Sequence, residues 1–250
     1  LDVDTVTGQN EVARSNVAGS LLVTGKGLEN ASLKGAAGGK PFEWMLGKEG
    51  GARILRLSAA DGGALIRFAG IYRKIADGNL LLDYRGTPGG AGTGVMTMRN
   101  FRLLNETALA PAVQTARQAA TRTAAGRAEL PPASRELQFT QLRLPFRQDR
   151  MVISIDDAAL RGPMLGATAS GTVNIPGGKM AISGTFIPAF GLNNIAGAIP
   201  IIGTILGGGR DEGLVGITYK LFGPIDNPKL AMNPISAIAP GIFRKIFEYR

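Results

Sequence analysis

The chain contains no cysteine and no histidine, and only 6% of its 250 residues are aromatic. Without histidine the commonest general base is missing, and without cysteine there is no thiol nucleophile and no disulfide. The usual zinc ligands are also lost. No converging base and nucleophile can be named for a carboxylate-only or Ser-Lys enzyme. The sequence therefore predicts a protein that is not an enzyme and that has no cofactor and no metal site.

Two adjacent carboxylates, Asp156 and Asp157, are the nearest approach to an acid/base pair. They lie in a run that reads as a strand, where successive side chains point to opposite faces of the sheet. We therefore expect the two carboxyl groups to face apart and to form no catalytic pair.

Acidic residues are in deficit, since 28 Lys and Arg against 19 Asp and Glu give a formal charge of +9. Such an excess indicates an anionic partner, either nucleic acid or an anionic membrane surface. Nucleic-acid binders usually carry a recognisable module or exposed aromatics among the basic residues, and the sequence has neither. It predicts a membrane surface and no nucleic acid.

Thirty-six Gly and fourteen Pro punctuate short alternating runs, as in an antiparallel β protein. The alternation is clearest in the second half. There it places on one face the side chains of Leu165, Ala167, Ala169, Val173 and Ile175, followed after a Pro-Gly-Gly turn by Met180, Ile182 and Phe186. Further strands are predicted at Val215–Leu221 and at 230–232. Earlier strands are predicted at Gly19–Thr24, Arg53–Ser58, Asn79–Tyr84, Val95–Leu103, Glu136–Phe146 and Arg150–Asp156.

Two local features refine this prediction. In the strand predicted from Glu136, the apolar residues change from odd-numbered positions, Leu137 and Phe139, to even-numbered positions from Leu142 onwards. Such a change of face indicates a bulge or a bend. Asp61 is positioned to cap a short helix that ends at Phe68. The Ala-rich stretch 106–125 predicts one longer helix, whose spaced Arg117, Arg122 and Arg127 form either a solvated face or a contact for anionic headgroups.

No charged residue occurs between Lys179 and Arg210. The apolar part, Ile195–Leu206, is interrupted by Pro and Gly, which makes it a poor membrane-spanning helix. Interfacial insertion and burial against the protein's own sheet both remain open, with membrane contact favoured. The docking candidates here are Ile199, Ile201, Ile202, Ile205 and Leu206.

The C-terminus predicts a short amphipathic helix that starts near Pro240. Its pattern is typical of an interfacial helix, although it would also suit a helix that packs over the open end of a sheet. Reversible association is expected, because a few partly inserted side chains and basic residues contribute only a few kcal/mol, at about 1 kcal/mol per basic residue. The candidates are Ile242, Phe243, Arg244, Lys245, Ile246 and Phe247.

This tail resembles the AsmA-like family of Gram-negative bacteria, which includes the YhdP and TamB relatives. The matching text comprises 184–194 (GTFIPAFGLNN), 199–203 (IPIIG), 207–209 (GGG), 212–214 (EGL), 223–224 (GP) and 233–245 (NPISAIAPGIFRK). Weaker similarity extends upstream, at 61–72 (DGGALIRFAGIY), 78–83 (GNLLLD) and 162–171 (GPMLGATASG). The Thr-, Ala- and Arg-rich run 114–127 departs from the more apolar helix expected in relatives.

The resemblance implies an envelope protein whose β-rich body lies in the periplasm, anchored in the inner membrane, and helps to move phospholipid towards the outer membrane. Because the chain starts at Leu1 without a signal-type segment, we expect a C-terminal piece of a longer protein, with any anchor upstream. Its C-terminal end is expected near the outer membrane.

The fold expected is mainly β: a curved antiparallel sheet or open β-barrel with a groove, one longer helix and a C-terminal amphipathic helix. We expect one domain over residues 1–250, with 1–105, 106–133 and 134–250 as possible subdivisions. The groove candidates are Leu165, Val173, Ile182, Phe186, Ile217 and Tyr219.

Three functional hypotheses follow. The first is a non-enzymatic conduit whose partners are phospholipid and the membrane surface. The second is an assembly factor that captures a strand of an outer-membrane or other envelope protein at an exposed sheet edge. In the third, the apolar face is a closed core.

Overall fold

A single antiparallel sheet contains every strand of the structure, a computed structural model that describes residues 2–7, 13–25, 27–87, 90–110, 112–114, 136–188, 217–225 and 227–233. The thirteen strands are β1 (Asp2–Thr7), β2 (Ala13–Thr24), β3 (Gly27–Ala37), β4 (Lys40–Glu49), β5 (Ala52–Ala59), β6 (Ile75–Gly86), β7 (Gly92–Leu104), β8 (Glu136–Asp149), β9 (Val152–Arg161), β10 (Leu165–Asn174), β11 (Lys179–Pro188), β12 (Ile217–Pro224) and β13 (Lys229–Asn233). Their order in the sheet is their order in the chain.

The predicted mainly β class is confirmed, and the curved sheet is open rather than closed into a barrel. Strands β1, β3 and β4 were not among those predicted. Strand β3 is rich in Ala and Gly, and β4 carries Pro41 near its start. Both lack the β-branched composition typical of strands, so their conformation comes from pairing with neighbours.

The helix α1 (Gly62–Phe68) confirms the predicted cap, because the Asp61 carboxylate accepts a hydrogen bond from the Ala64 amide at 2.8 Å. Two glycines at its start allow the helix to lie directly on β6. A Cβ on Gly63 would come within 2.6 Å of the Ala76 backbone, and one on Gly62 within 2.5 Å of Leu80 Cβ. Such contacts are too short for any side chain, so both positions require glycine.

The core lies on one face of the sheet, which we call the inner face. Helix α1 contributes Ala64 and Leu65, and the residues after β7 contribute Leu109 and Ala112, all buried. They pack against the inner side chains of Phe42, Ile75, Leu80, Met98, Phe101, Leu137 and Phe139.

The predicted irregularity in the Glu136 run is present, and β7 shares it. Phe101 pairs with Phe139 and Met98 pairs with Leu142 in one unbroken register. In both strands the inward-facing residues therefore switch between odd-numbered and even-numbered positions at the same place. Asn100 has a left-handed φ of 55° there, as does Asp77 (φ 60°) in the neighbouring β6. The change is a bend shared by adjacent strands.

Connections of different length lie at the two rims of the sheet. The hairpin rim carries the short turns that join β2 to β3, β4 to β5, β6 to β7, β8 to β9, β10 to β11 and β12 to β13. The opposite rim carries α1, the ends of β7 and β11 and the starts of β8 and β12. Strand β13 also ends at that rim, where Asn233 pairs with Thr218.

Some predictions fall outside the described residues. These include Arg117, Arg122 and Arg127 and all the docking candidates in 199–206 and 242–247. Of the predicted longer helix, the structure describes a 3₁₀ turn at Thr107–Leu109 and residues up to 114 with a gap at 111.

Candidate functional site

The inner face bears rows of apolar side chains that cross the sheet from strand to strand. We number these rows from the one that contains Ala59, Leu80 and Met98, which is the first row. The third row joins twelve strands through directly paired residues. It consists of Leu21, Ala31, Leu46, Leu55, Tyr84, Gly94, Phe146, Ile155, Gly171, Ile182, Leu221 and Leu230. It contains no charged residue, and at the usual strand spacing of about 4.8 Å it is about 50 Å long.

The second row lies parallel to it, one inner-facing residue nearer α1. On strands β2 to β8 it consists of Gly19, Leu33, Trp44, Leu57, Leu82, Met96 and Leu144. On β9 to β13 it continues with Ala158, Ala169, Gly184, Tyr219 and Met232. The polar side-chain atoms of these two rows are the hydroxyls of Tyr84 and Tyr219 and the indole nitrogen of Trp44.

Exposure shows that these two rows line an open trough. Leu57, Leu82, Met96, Leu144 and Tyr219 are half-buried. Helix α1 packs on the first row, nearer its own rim, where Ala59, Leu80 and Met98 are buried.

The six groove candidates all lie on the inner face, as the register shows. They separate into two groups by exposure. Leu165 and Ile217 are each 2% exposed and Phe186 is 5% exposed, so these three belong to the core. The half-buried Val173, Ile182 and Tyr219 line the open part. Ile175, expected on the same face, instead lies in the turn after β10.

Tyr219 forms part of the trough floor. Its ring stacks on Phe186, and its hydroxyl donates a hydrogen bond to the Thr168 carbonyl at 2.8 Å. The residue paired with it, Gly184, provides the space, because a Cβ there would lie 2.8 Å from the Tyr219 hydroxyl. Burial raises the pKa of the Tyr219 phenol to about 12.

A second aromatic pair covers a glycine on the other half of the sheet. Tyr84 and Phe146 stack with an interplanar angle of 8° on either side of Gly94. A Cβ at Gly94 would approach Phe146 to 2.4 Å. Glycine here lets flat rings fill the floor, which keeps it smooth and apolar.

The outer face is charged and exposed, in contrast to the trough. Ion pairs join neighbouring strands at Lys34 with Glu43 (2.9 Å), Arg56 with Asp83 (3.7 Å) and Arg147 with Asp156 (2.8 Å). Their side chains are more than half exposed, so each pair contributes at most about 1 kcal/mol. The division between a polar face and an apolar face marks the trough as the site.

The expectation that Asp156 and Asp157 face apart was wrong. Both side chains are exposed, while Ile155 and Ala158 on either side of them are buried. The registers of β9 with β10 shift by one residue here, so that the two aspartates oppose Ser170 alone. This β-bulge turns both carboxylates to the outer face and keeps Ile155 and Ala158 in the trough.

The middle of the trough, at Leu82, Met96 and Leu144, was not among the sequence candidates. The strands were predicted, but Leu80, Leu81 and Leu82 are all apolar. Alternation therefore could not show which of these side chains face inward. The charged Asp83 and Arg85 give only a weak indication that the odd-numbered residues of this strand face outward.

Comparisons of the chain with protein-family models, curated proteins and solved structures found no match. Among the helices of the described residues, none combines the length and apolar character needed to cross a membrane.

Proposed function

We propose that the chain is a non-enzymatic phospholipid conduit of the Gram-negative envelope, acting between the inner and the outer membrane in support of outer-membrane biogenesis. The observation that carries the proposal is the uncharged second and third rows over β2 to β13, whose members are half-buried except for the exposed Leu21 and the buried Ala31, Leu46, Ile155 and Ala158. The similarity of the sequence to AsmA-like proteins favours the same function.

The chemistry requires only a continuous apolar path. Each methylene of an acyl chain that moves from water into the trough contributes about 0.8 kcal/mol. A chain that slides from one uncharged strand to the next exchanges one set of apolar contacts for another. The headgroup stays in water, since the trough is open. No catalytic residue takes part.

Geometry also favours a common role for the two predicted docking stretches. Strand β11 ends at Pro188, β12 begins at Ile217 and β13 ends at Asn233, so residues 189–216 and 234–250 connect to these strand ends. Because Phe186 pairs with Ile217 and Thr218 with Asn233, both stretches attach at one corner of the sheet. We propose that they dock this corner on a membrane surface.

Native mass spectrometry of the chain purified from bacterial membranes tests the conduit. We expect bound phospholipid in the parent and its loss in Leu82→Asp, which places a charge on the trough floor. Leu81→Asp is the matched control, because the neighbouring side chain lies on the outer face and is 53% exposed. A folded parent without lipid, or equal loss in both variants, would refute the conduit and favour a closed core.

A scaffold that captures a client strand is the second candidate. It is favoured by the open sheet, in which β13 pairs with β12 alone among the described strands. Proline at Ala231 in β13 should abolish client binding in that case while leaving lipid binding intact.

A further inference from the structure

Three successive hairpins bring exposed apolar side chains together at the hairpin rim. The β8–β9 turn carries Met151 (51% exposed), the β10–β11 turn Ile175 (45%) and the β12–β13 turn Ile225 (37%). The hairpins are neighbours in the sheet, so their tips lie about 10 Å apart.

Backbone hydrogen bonds link these tips into one edge. The Ile175 amide donates to the Met151 carbonyl at 3.1 Å, and the Ile225 amide donates to the Gly178 carbonyl at 3.0 Å. Within the β10–β11 turn, the Gly177 amide donates to the Asn174 side chain. We call Met151, Ile175 and Ile225 with this backbone the tip edge. These hydrogen bonds fix the three turns relative to one another. Their apolar side chains therefore stay exposed to water, which solvates them poorly.

An apolar surface leads from the trough to the tip edge. Beyond the third row, the inner face of β9, β10 and β11 carries Ile153, Val173 and Met180, which pair in sequence. At the same level β4 and β5 carry Lys48 and Arg53. The inner face is therefore apolar up to the rim at β9–β11 and is charged at the rim on β4 and β5.

The rim has the charge that an anionic surface attracts. The six hairpin segments 23–28, 47–53, 84–93, 147–153, 174–180 and 223–229 contain eight basic residues and three acidic ones, a net charge of +5. Arg150 directly precedes Met151, while Lys179 and Lys229 each follow the apolar tip residue of their hairpin by four positions; all three are exposed, as is Asp149. Apolar side chains flanked by basic ones are typical of segments that lie at a bilayer interface.

We propose that the tip edge is a contact site for an anionic phospholipid bilayer and that lipid passes between the bilayer and the trough over Ile153, Val173 and Met180. The passage of lipid rests on the proposed conduit, whereas bilayer contact at the tips does not. The site lies on the rim opposite the corner where residues 189–216 and 234–250 attach.

Site-specific fluorescence tests the contact. Because the chain has no cysteine, Ile175→Cys in the full chain gives a unique position for an environment-sensitive fluorophore such as NBD. Vesicles of phosphatidylcholine with phosphatidylglycerol should shift its emission to the blue and increase its intensity. Phosphatidylcholine alone should give a smaller change, and added salt should reverse part of it.

Leu81→Cys is the matched control, since Leu81 is as exposed as the tips but lies on the outer face. Its label should not respond. The inference is overturned if the chain does not sediment with the anionic vesicles, if it sediments with them while the Ile175 label stays unchanged, or if both labels respond alike. Phospholipid measured by native mass spectrometry in the same samples reports separately on the conduit, so failure of one proposal is distinguishable from failure of the other.

Discussion

Tyr219 and Phe186 stack with ring centroids 4.3 Å apart, and they lie at the boundary between the closed core and the open trough. Phe186 is a buried member of the first row, whereas Tyr219 is half-buried in the second. The aromatic pair thus connects the stability of the fold to the shape of the floor along which a lipid chain would move.

Gly184→Ala should destabilise the protein, because the new Cβ would lie 1.8 Å from the Thr168 carbonyl oxygen and would displace Tyr219. Overpacking of this kind costs about 1–3 kcal/mol. Urea denaturation followed by circular dichroism measures the loss. Gly25→Ala serves as the control, since no atom lies within 4 Å of a Cβ at that turn. Equal stability of the two variants would show that Gly184 is not needed for space.

The burial of Tyr219 predicts a dependence of stability on alkaline pH. The pKa is raised by burial to about 12, above the value of about 10 for a free phenol. The unfolded chain therefore loses this proton first, and the contribution to stability is complete below pH ~10 and is lost as the pH rises towards 12. The advantage of the parent over Tyr219→Phe should shrink across this range.

Denaturation of both proteins at several pH values measures that advantage. The other titratable groups are common to parent and variant, so their contributions cancel in the difference. A constant advantage from pH 9 to 12 would mean that the phenol is not held neutral in the folded state.

Sequence reasoning succeeded where alternation was strict and failed where composition was uniform. Strands β10 and β11 alternate apolar and polar residues, so the common face of Val173, Ile182 and Phe186 could be predicted. Which members of that face are buried could not, because burial depends on a cluster that combines side chains from distant strands with Leu109 and Ala112.

The bulge at Asp156 and Asp157 shows a second limit. The side-chain direction of a strand residue follows from its parity only while the register is unbroken. One extra residue in β9 reverses the parity after Ile155, and this depends on its pairing with β10. The sequence of β9 alone does not contain that information.

Asp61→Ala should weaken helix α1 and with it the cover of the first row. The carboxylate is 8% exposed and caps the Ala64 amide, and loss of such a cap costs about 1–2 kcal/mol. Asp61→Asn retains an oxygen acceptor and should recover most of the stability. Thermal unfolding of the two variants and the parent provides the comparison. If the Asn variant were as unstable as the Ala variant, the carboxylate would act through something other than capping.

Photo-crosslinking at the two halves of the third row tests whether the trough is one continuous path. One photoreactive amino acid replaces Leu55 in β5 and another replaces Leu221 in β12. Both positions belong to the third row, and six strands lie between them. If acyl chains occupy the whole row, both positions should give phospholipid adducts in cells.

Their chain neighbours Ile54 and Phe222 face the outer side and should give none. Adducts at Leu221 but not at Leu55 would confine lipid to the β9–β13 half and would point to a binding pocket in place of a conduit. Adducts at the outer positions in equal yield would mean that the reagent reports only on membrane proximity. A continuous path therefore requires adducts at both inner positions and at neither outer one.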